Sequence, residues 1–185
     1  MGYSIMWVLV PAPAGVVERY GPRLRPLVEA EAALPSSREL WARWEQGLLD
    51  GDGLLDVACG PLGEHLDVLY EAWDGCADAG AGLAVSARNR YPVAGLAHGL
   101  GPERFAALPG WFGDLLLDPD EVRASLPAVE AAFALDATAY EAAVDRAYVL
   151  LNDAYRLGEL FDGVLPVWRA AAEAGHGLIG AQIVP

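Results

Sequence analysis

Apolar positions along this chain change period several times, and each change marks an element. Residues 4–10, SIMWVLV, form a continuous run of strand-favouring side chains cut off by Pro11, which predicts a buried strand. Over residues 15–49 the spacing turns helical but interrupted: Val16, Val17 and Tyr20 precede Gly21, and Leu24, Leu27 and Val28 follow it. A second helix is predicted to restart at Ser36 or Ser37 as N-cap, with Leu40, Trp41, Trp44 and Leu48 on one face. Residues 50–53, DGDG, read as a turn. Residues 62–73 read as a helix, with Leu66, Leu69, Tyr70 and Trp73 at i, i+3, i+4 and i+7.

After a glycine-rich loop, residues 83–87 predict a short strand. Residues 88–113 are punctuated by Gly and Pro and read as irregular, with one helical turn near 103–107. Asp118, Pro119 and Glu121 spell a capping box, which starts a helix with Val122, Leu126, Val129 and Phe133 inward. Thr138 and Glu141 repeat the box before a helix carrying Tyr140, Val144, Tyr148, Leu151 and Tyr155 on one face. A last helix with Leu160, Val164, Leu165, Trp168 and Ala172 stops at Gly175, and residues 177–184 close the chain as a strand. The sum is one α+β domain over residues 1–185, dominated by helices, with a small sheet that pairs the N- and C-terminal strands.

Composition narrows the chemistry. Twenty-six acids face twelve basic residues, a net charge of −14, and such a field repels a polyanion, so nucleic acid is not expected as a partner. Every basic residue is Arg, and without Lys there is no Schiff-base catalysis and no P-loop of the lysine-containing kind. Two cysteines, Cys59 and Cys76, need no disulfide framework and suit a reducing, cytoplasmic setting. No apolar run reaches the length of about 18 residues that spans a bilayer, so no membrane partner is expected either. The oligomeric state is left open.

No metal site is expected. His65, His98 and His176 are scattered, and there is no Cys pair at zinc spacing. DGDGLLD brings Asp50, Asp52 and Asp56 together, but an EF-hand counted from Asp50 would place Leu54, Leu55 and Pro61 at positions five, six and twelve. An acidic surface turn is the expectation. One asymmetry carries a binding expectation. Residues 45–78 hold nine acids and no arginine, whereas residues 79–102 hold no acid but carry Arg88, Arg90 and His98, with Tyr91 alongside and Arg104 just beyond. Arginine forks pair carboxylates and phosphates, so this stretch is a candidate for a small anionic ligand or a protein partner. The alternative is that these arginines pair with the protein's own surplus of carboxylates.

Two resemblances follow from quoted motifs. LLDVACGPLGEHL, residues 54–66, resembles the glycine-rich first motif of S-adenosylmethionine-dependent methyltransferases, which implies a strand ending at Asp56 and a cofactor near Asp56, Gly60 and Gly63. In that reading WFGDLLLDPDEV, around Asp114, would imitate a later strand. Against it, Leu62 breaks the glycine spacing, and LAVSARNR ends in Arg88, Asn89 and Arg90 where a ribose-binding acid belongs. The helical region after residue 118 also leaves too few strands. The expected alternative is a turn and helix start with Pro61 at its first position.

LLDPDEVRASLPAVEAAF, a tyrosine-rich helix and FDGVLPVWRAAAEAGHGLIGAQIV resemble the YfbM-like family of bacterial proteins at Leu117, Pro119, Glu121, Val122, Trp168, Ala172, Gly175 or Gly177, and Leu178. That resemblance implies an α+β domain and no catalytic residues. The function expected is a non-enzymatic binding or interaction module without a cofactor; the alternative is an atypical methyltransferase using residues 54–64.

Overall fold

The computed structural model describes residues 4–152 and 157–184. Strand β1 (Ser4–Ala12) buries Ile5, Trp7 and Leu9 on one face, as the period of two requires, and runs through Pro11. Helix α1 (Ala14–Ala33) does not pause at Gly21; that glycine sits against the Leu116 side chain and lets the helix approach closely. It ends at Leu34, where Pro35 opens α2 (Pro35–Glu45). Pro35, and not Ser36 or Ser37, therefore sets the restart, because proline fits the first helical position and favours the extended backbone that Leu34 adopts before it (φ −57°, ψ 139°). Leu48 lies outside α2 and is exposed.

Residues 51–57, expected to begin as a turn and to be a strand only in the methyltransferase reading, are helix. Asp50 accepts from the Gly53 amide (2.9 Å) and caps α3 (Gly51–Val57). A 3-10 turn (Pro61–Glu64) and α4 (Leu66–Asp74) replace the single helix expected over 62–73, with the break at His65. Tyr70 is exposed, while Leu69 and Ala72 supply the buried face of α4.

Strand β2 (Leu83–Arg88) buries Leu83, Val85 and Ala87 and exposes the residues between them. The stretch expected to be irregular then forms α5 (Pro92–Leu100), of which every residue but His98 is buried. A helix apolar all round gives no amphipathic period, which is why the spacing did not announce it. Gly95 and Gly99 let it close on its neighbours, for a Cβ on Gly99 would meet the Phe161 ring. Short helix α6 (Pro102–Phe105) and strand β3 (Leu115–Leu117) follow.

Helix α7 (Pro119–Phe133) starts with the expected capping box: Asp118 Oδ1 accepts from the Glu121 amide and Glu121 Oε2 from the Asp118 amide, both at 2.8 Å. Helix α8 (Ala137–Leu151) is capped by Asp136, not by Thr138, and buries Ala143, Ala147, Leu150 and Leu151. Tyr148 is exposed; Tyr155, expected on the same helix, lies outside the described residues. Gly163 divides the last helical segment into α9 (Leu157–Asp162) and α10 (Val164–Ala174), and Gly175 ends it with φ +68°. Strand β4 (Gly177–Ile183) is buried along its whole length.

The sheet order is β2-β1-β4-β3, with every neighbour antiparallel. The N- and C-terminal strands are partners at its centre, in a register that puts Trp7 opposite Gln182. The fold is α+β and helix-dominated, with helices packed around one continuous core. No helix among the described residues is long and apolar enough to cross a membrane.

Candidate functional site

Among the described residues, Asp114 is the one carboxylate buried without any exposure. It follows Trp111, Phe112 and Gly113 in a turn that pairs Trp111 with Asp114 through both backbone bonds (2.9 and 3.0 Å). Its Oδ1 accepts from the Gln182 amide (2.8 Å) and its Oδ2 from the Leu62 amide (2.7 Å). Burial pushes the Asp114 carboxyl up to about 7, and the two amide bonds pull the other way.

Gln182 completes this polar centre. Its side-chain NH2 donates to the carbonyls of Ala58 and of Phe112 (2.9 Å), and its Oε1 accepts from Val93 (3.3 Å). Asp114 and Gln182 therefore tie the 58–62 segment, the start of α5 and the 111–114 turn onto β4. Buried backbone groups need partners, and these two side chains supply them where no ladder or helix does.

This arrangement explains the glycines of the segment that resembles a cofactor loop. A Cβ on Gly60 would overlap the Asp114 carboxylate, and a Cβ on Gly63 would stand 2.7 Å from the Gln182 carbonyl oxygen. The missing side chains do admit a close backbone approach, but to the protein's own turn and strand. Residues 51–57 are helical, so the strand that the methyltransferase reading requires at Asp56 is absent, and Asp56 is exposed. The sheet is antiparallel where that reading needs a parallel one. Pro61 is the first residue of the 3-10 turn, as the alternative expected.

The cationic stretch is distributed over separate structural tasks. Arg88 is exposed at the end of β2. Arg90 lies 3.6 Å from Asp52, a largely exposed pair. Tyr91 is the N-cap position of α5. His98 is half-buried in α5, and its pKa is lowered by burial and by the nearby Arg146, with Asp50 opposing. Arg104 donates to the carbonyls of Ala131 and Ala132 (3.0 Å each), where the end of α7 leaves acceptors open. Arg90 and Arg104 are thus engaged by the protein's own acceptors.

Other titratable groups have local roles. Burial raises the Cys76 thiol to about 11, and its Sγ donates to the Ala72 carbonyl at 3.2 Å. Cys59 is exposed, and neither cysteine is in a disulfide. Among the described residues no group of three His, Cys, Asp or Glu side chains could hold a metal. Asp50, Asp52 and Asp56 border an open bowl with Arg43.

A groove of about 700 Å³ lies between α1 and the start of α7. Ala14, Val17, Gly21, Pro22, Pro26 and Pro119 give it an apolar surface; Glu18, Arg25, Asp118, Asp120 and Arg123 border it. Its volume is that of a small-ligand site, which is typically about 300–1,000 Å³. Arg25 holds Glu121 through two parallel bonds of 2.7 and 2.8 Å, and Arg123 pairs with Asp120. A bidentate fork fixes both side chains, so one wall is set before anything binds. Sequence reasoning identified Glu121 as a cap but missed this groove, because Val17, Pro22, Arg25 and Asp118 meet only in three dimensions. No protein-family model, curated protein or solved structure matches this chain.

Proposed function

We propose that this protein is a binding module of the YfbM-like kind that works through the α1–α7 groove and carries out no chemistry of its own. The observation that carries this reading is the groove itself: apolar surface bordered by both signs of charge, with the Arg25–Glu121 fork in place across it. Sites of this kind bind by burying apolar area and orient their ligand through a few polar groups. The deeply buried acid, Asp114, is not available as a catalytic group, because both oxygens are occupied by backbone amides and none of its surface is exposed. A catalytic acid or base must reach the proton it moves. The likeness to the YfbM-like family rests on Leu117, Pro119, Glu121, Val122, Trp168, Ala172, Gly175 or Gly177, and Leu178; of these Pro119 lines the groove and Glu121 holds its Arg25.

A thermal-shift screen of several hundred organic fragments tests the groove. It is run in parallel on the wild type and on Ala14→Trp, whose indole at the exposed first turn of α1 fills the groove mouth. Fragments that raise the Tm of the wild type and not of the variant support the reading. A screen without hits, or hits that persist in the variant, overturns it.

A further inference from the structure

We infer that the groove takes an extended, basic polypeptide segment, its backbone N–H groups bonding to the two carbonyls of α1 whose partner four positions on is a proline; this rests on the groove being the binding surface. Pro22 and Pro26 both lie inside α1, and both line the groove. Proline has no N–H, so the carbonyls of Glu18 and Pro22 lack the donor that a residue four positions on would supply. Both prolines are exposed, which puts the consequence on the open side of the helix.

Helical rise separates these two carbonyls by about 6 Å along the axis. An extended chain presents its N–H groups on one edge every second residue, about 6.6 Å apart, so two amides of one strand match two acceptors of one helix. From Ala14 to Pro26 the groove follows about 18 Å of α1, the length of about five extended residues. Polar backbone that enters an apolar groove needs partners, and a helix with its full set of internal bonds has none to offer.

Charge selects the sign of the segment. Arg25 is held by Glu121 and Arg123 by Asp120, so the cations of the groove are neutralised locally. Glu18 is exposed on the same face, and Asp118 accepts the Glu121 amide through Oδ1. The remaining groups are acceptors, within a molecule of net charge −14. Arginine or lysine side chains alternating with small apolar ones fit that pattern.

The test is fluorescence anisotropy of labelled Arg-Val-Arg-Val-Arg, with Glu-Val-Glu-Val-Glu and a backbone N-methylated basic peptide as controls, against wild type and the double variant Pro22→Ala, Pro26→Ala. The double variant keeps every charge but restores both N–H donors, so it separates the carbonyl contacts from general attraction between a basic peptide and an acidic protein. It is expected to melt higher, since proline inside an exposed helix is unfavourable, and to bind the basic peptide about tenfold more weakly. N-methylation is expected to weaken binding to the wild type similarly, and the acidic peptide not to bind. Equal binding by both proteins, binding of the acidic peptide, or no saturable binding overturns the inference. Should the fragments blocked by Ala14→Trp still bind while the basic peptide does not, the occupant alone is wrong; should neither bind, the groove reading fails as well.

Discussion

Asp114→Asn separates the electrostatic from the hydrogen-bonding role of the buried carboxylate. In the unfolded chain this carboxyl ionises near its ordinary value of 3.8, and in the folded protein it keeps its proton until about 7. The folded state therefore binds the proton more tightly, and stability falls as pH rises through the window from about 4 to about 7 and flattens above it. A shift of about three units corresponds to about 4 kcal/mol across the full window, of which about 2 kcal/mol falls between pH 5.5 and pH 8. Asparagine does not titrate, and it offers one acceptor where Asp114 offers two. Its NH2 then faces either the Leu62 or the Gln182 amide, which costs about 1–3 kcal/mol. Urea unfolding of both proteins, followed by tryptophan fluorescence at pH 5.5 and pH 8, is the assay. The deficit of the variant is expected to be about 2 kcal/mol larger at pH 5.5 than at pH 8. Parallel pH profiles for the two proteins would refute the burial argument, whatever the size of the constant offset.

Three further outcomes follow from the same contacts. Gly60→Ala forces a methyl into the Asp114 carboxylate and is expected to abolish cooperative thermal unfolding or lower Tm by more than 10 °C, read by circular dichroism. Gln182→Leu leaves the carbonyls of Ala58 and Phe112 and the Val93 amide without their partner, and is expected to cost about 3 kcal/mol or more by urea denaturation. S-adenosylmethionine at millimolar concentration is expected to leave Tm unchanged, whereas a ligand at 100 times its Kd would add about 2.7 kcal/mol of stability; a clear rise would restore the methyltransferase alternative.

Much of the fold could be read from spacing. The Asp118–Glu121 box marked α7, Gly175 marked the end of α10, and the apolar run at 177–184 marked the partner of β1, whereas Pro11, read as the end of the first strand, lies within it, because β1 runs on to Ala12. Where the reading failed, a competing effect hid the pattern. Helix α5 is apolar on every side, so burial erased its period, and its two internal glycines looked like loop punctuation. Asp50 made DGDG resemble a turn, while it was acting as the cap of a helix.

The polar centre was legible only in part. Gly60 and Gly63 stood out as positions where a backbone comes close, but their partners, Asp114 and Gln182, are distant in sequence. Gln182 sits in an otherwise apolar strand and carries no motif. The groove was less legible still, since its signal is two prolines at i and i+4 within a helix that the spacing already read as interrupted.

On the proposed reading, binding belongs to the α1–α7 groove, and the glycine-rich segment is structural. A single ¹⁵N–¹H titration of the protein with Arg-Val-Arg-Val-Arg observes both places at once. The predicted result is saturable shifts of the amides of Val17, Gly21, Arg25, Asp120 and Arg123, with those of Gly60, Leu62 and Gly63 unmoved. Shifts confined to residues 58–64 or to 88–91, with α1 silent, would contradict it.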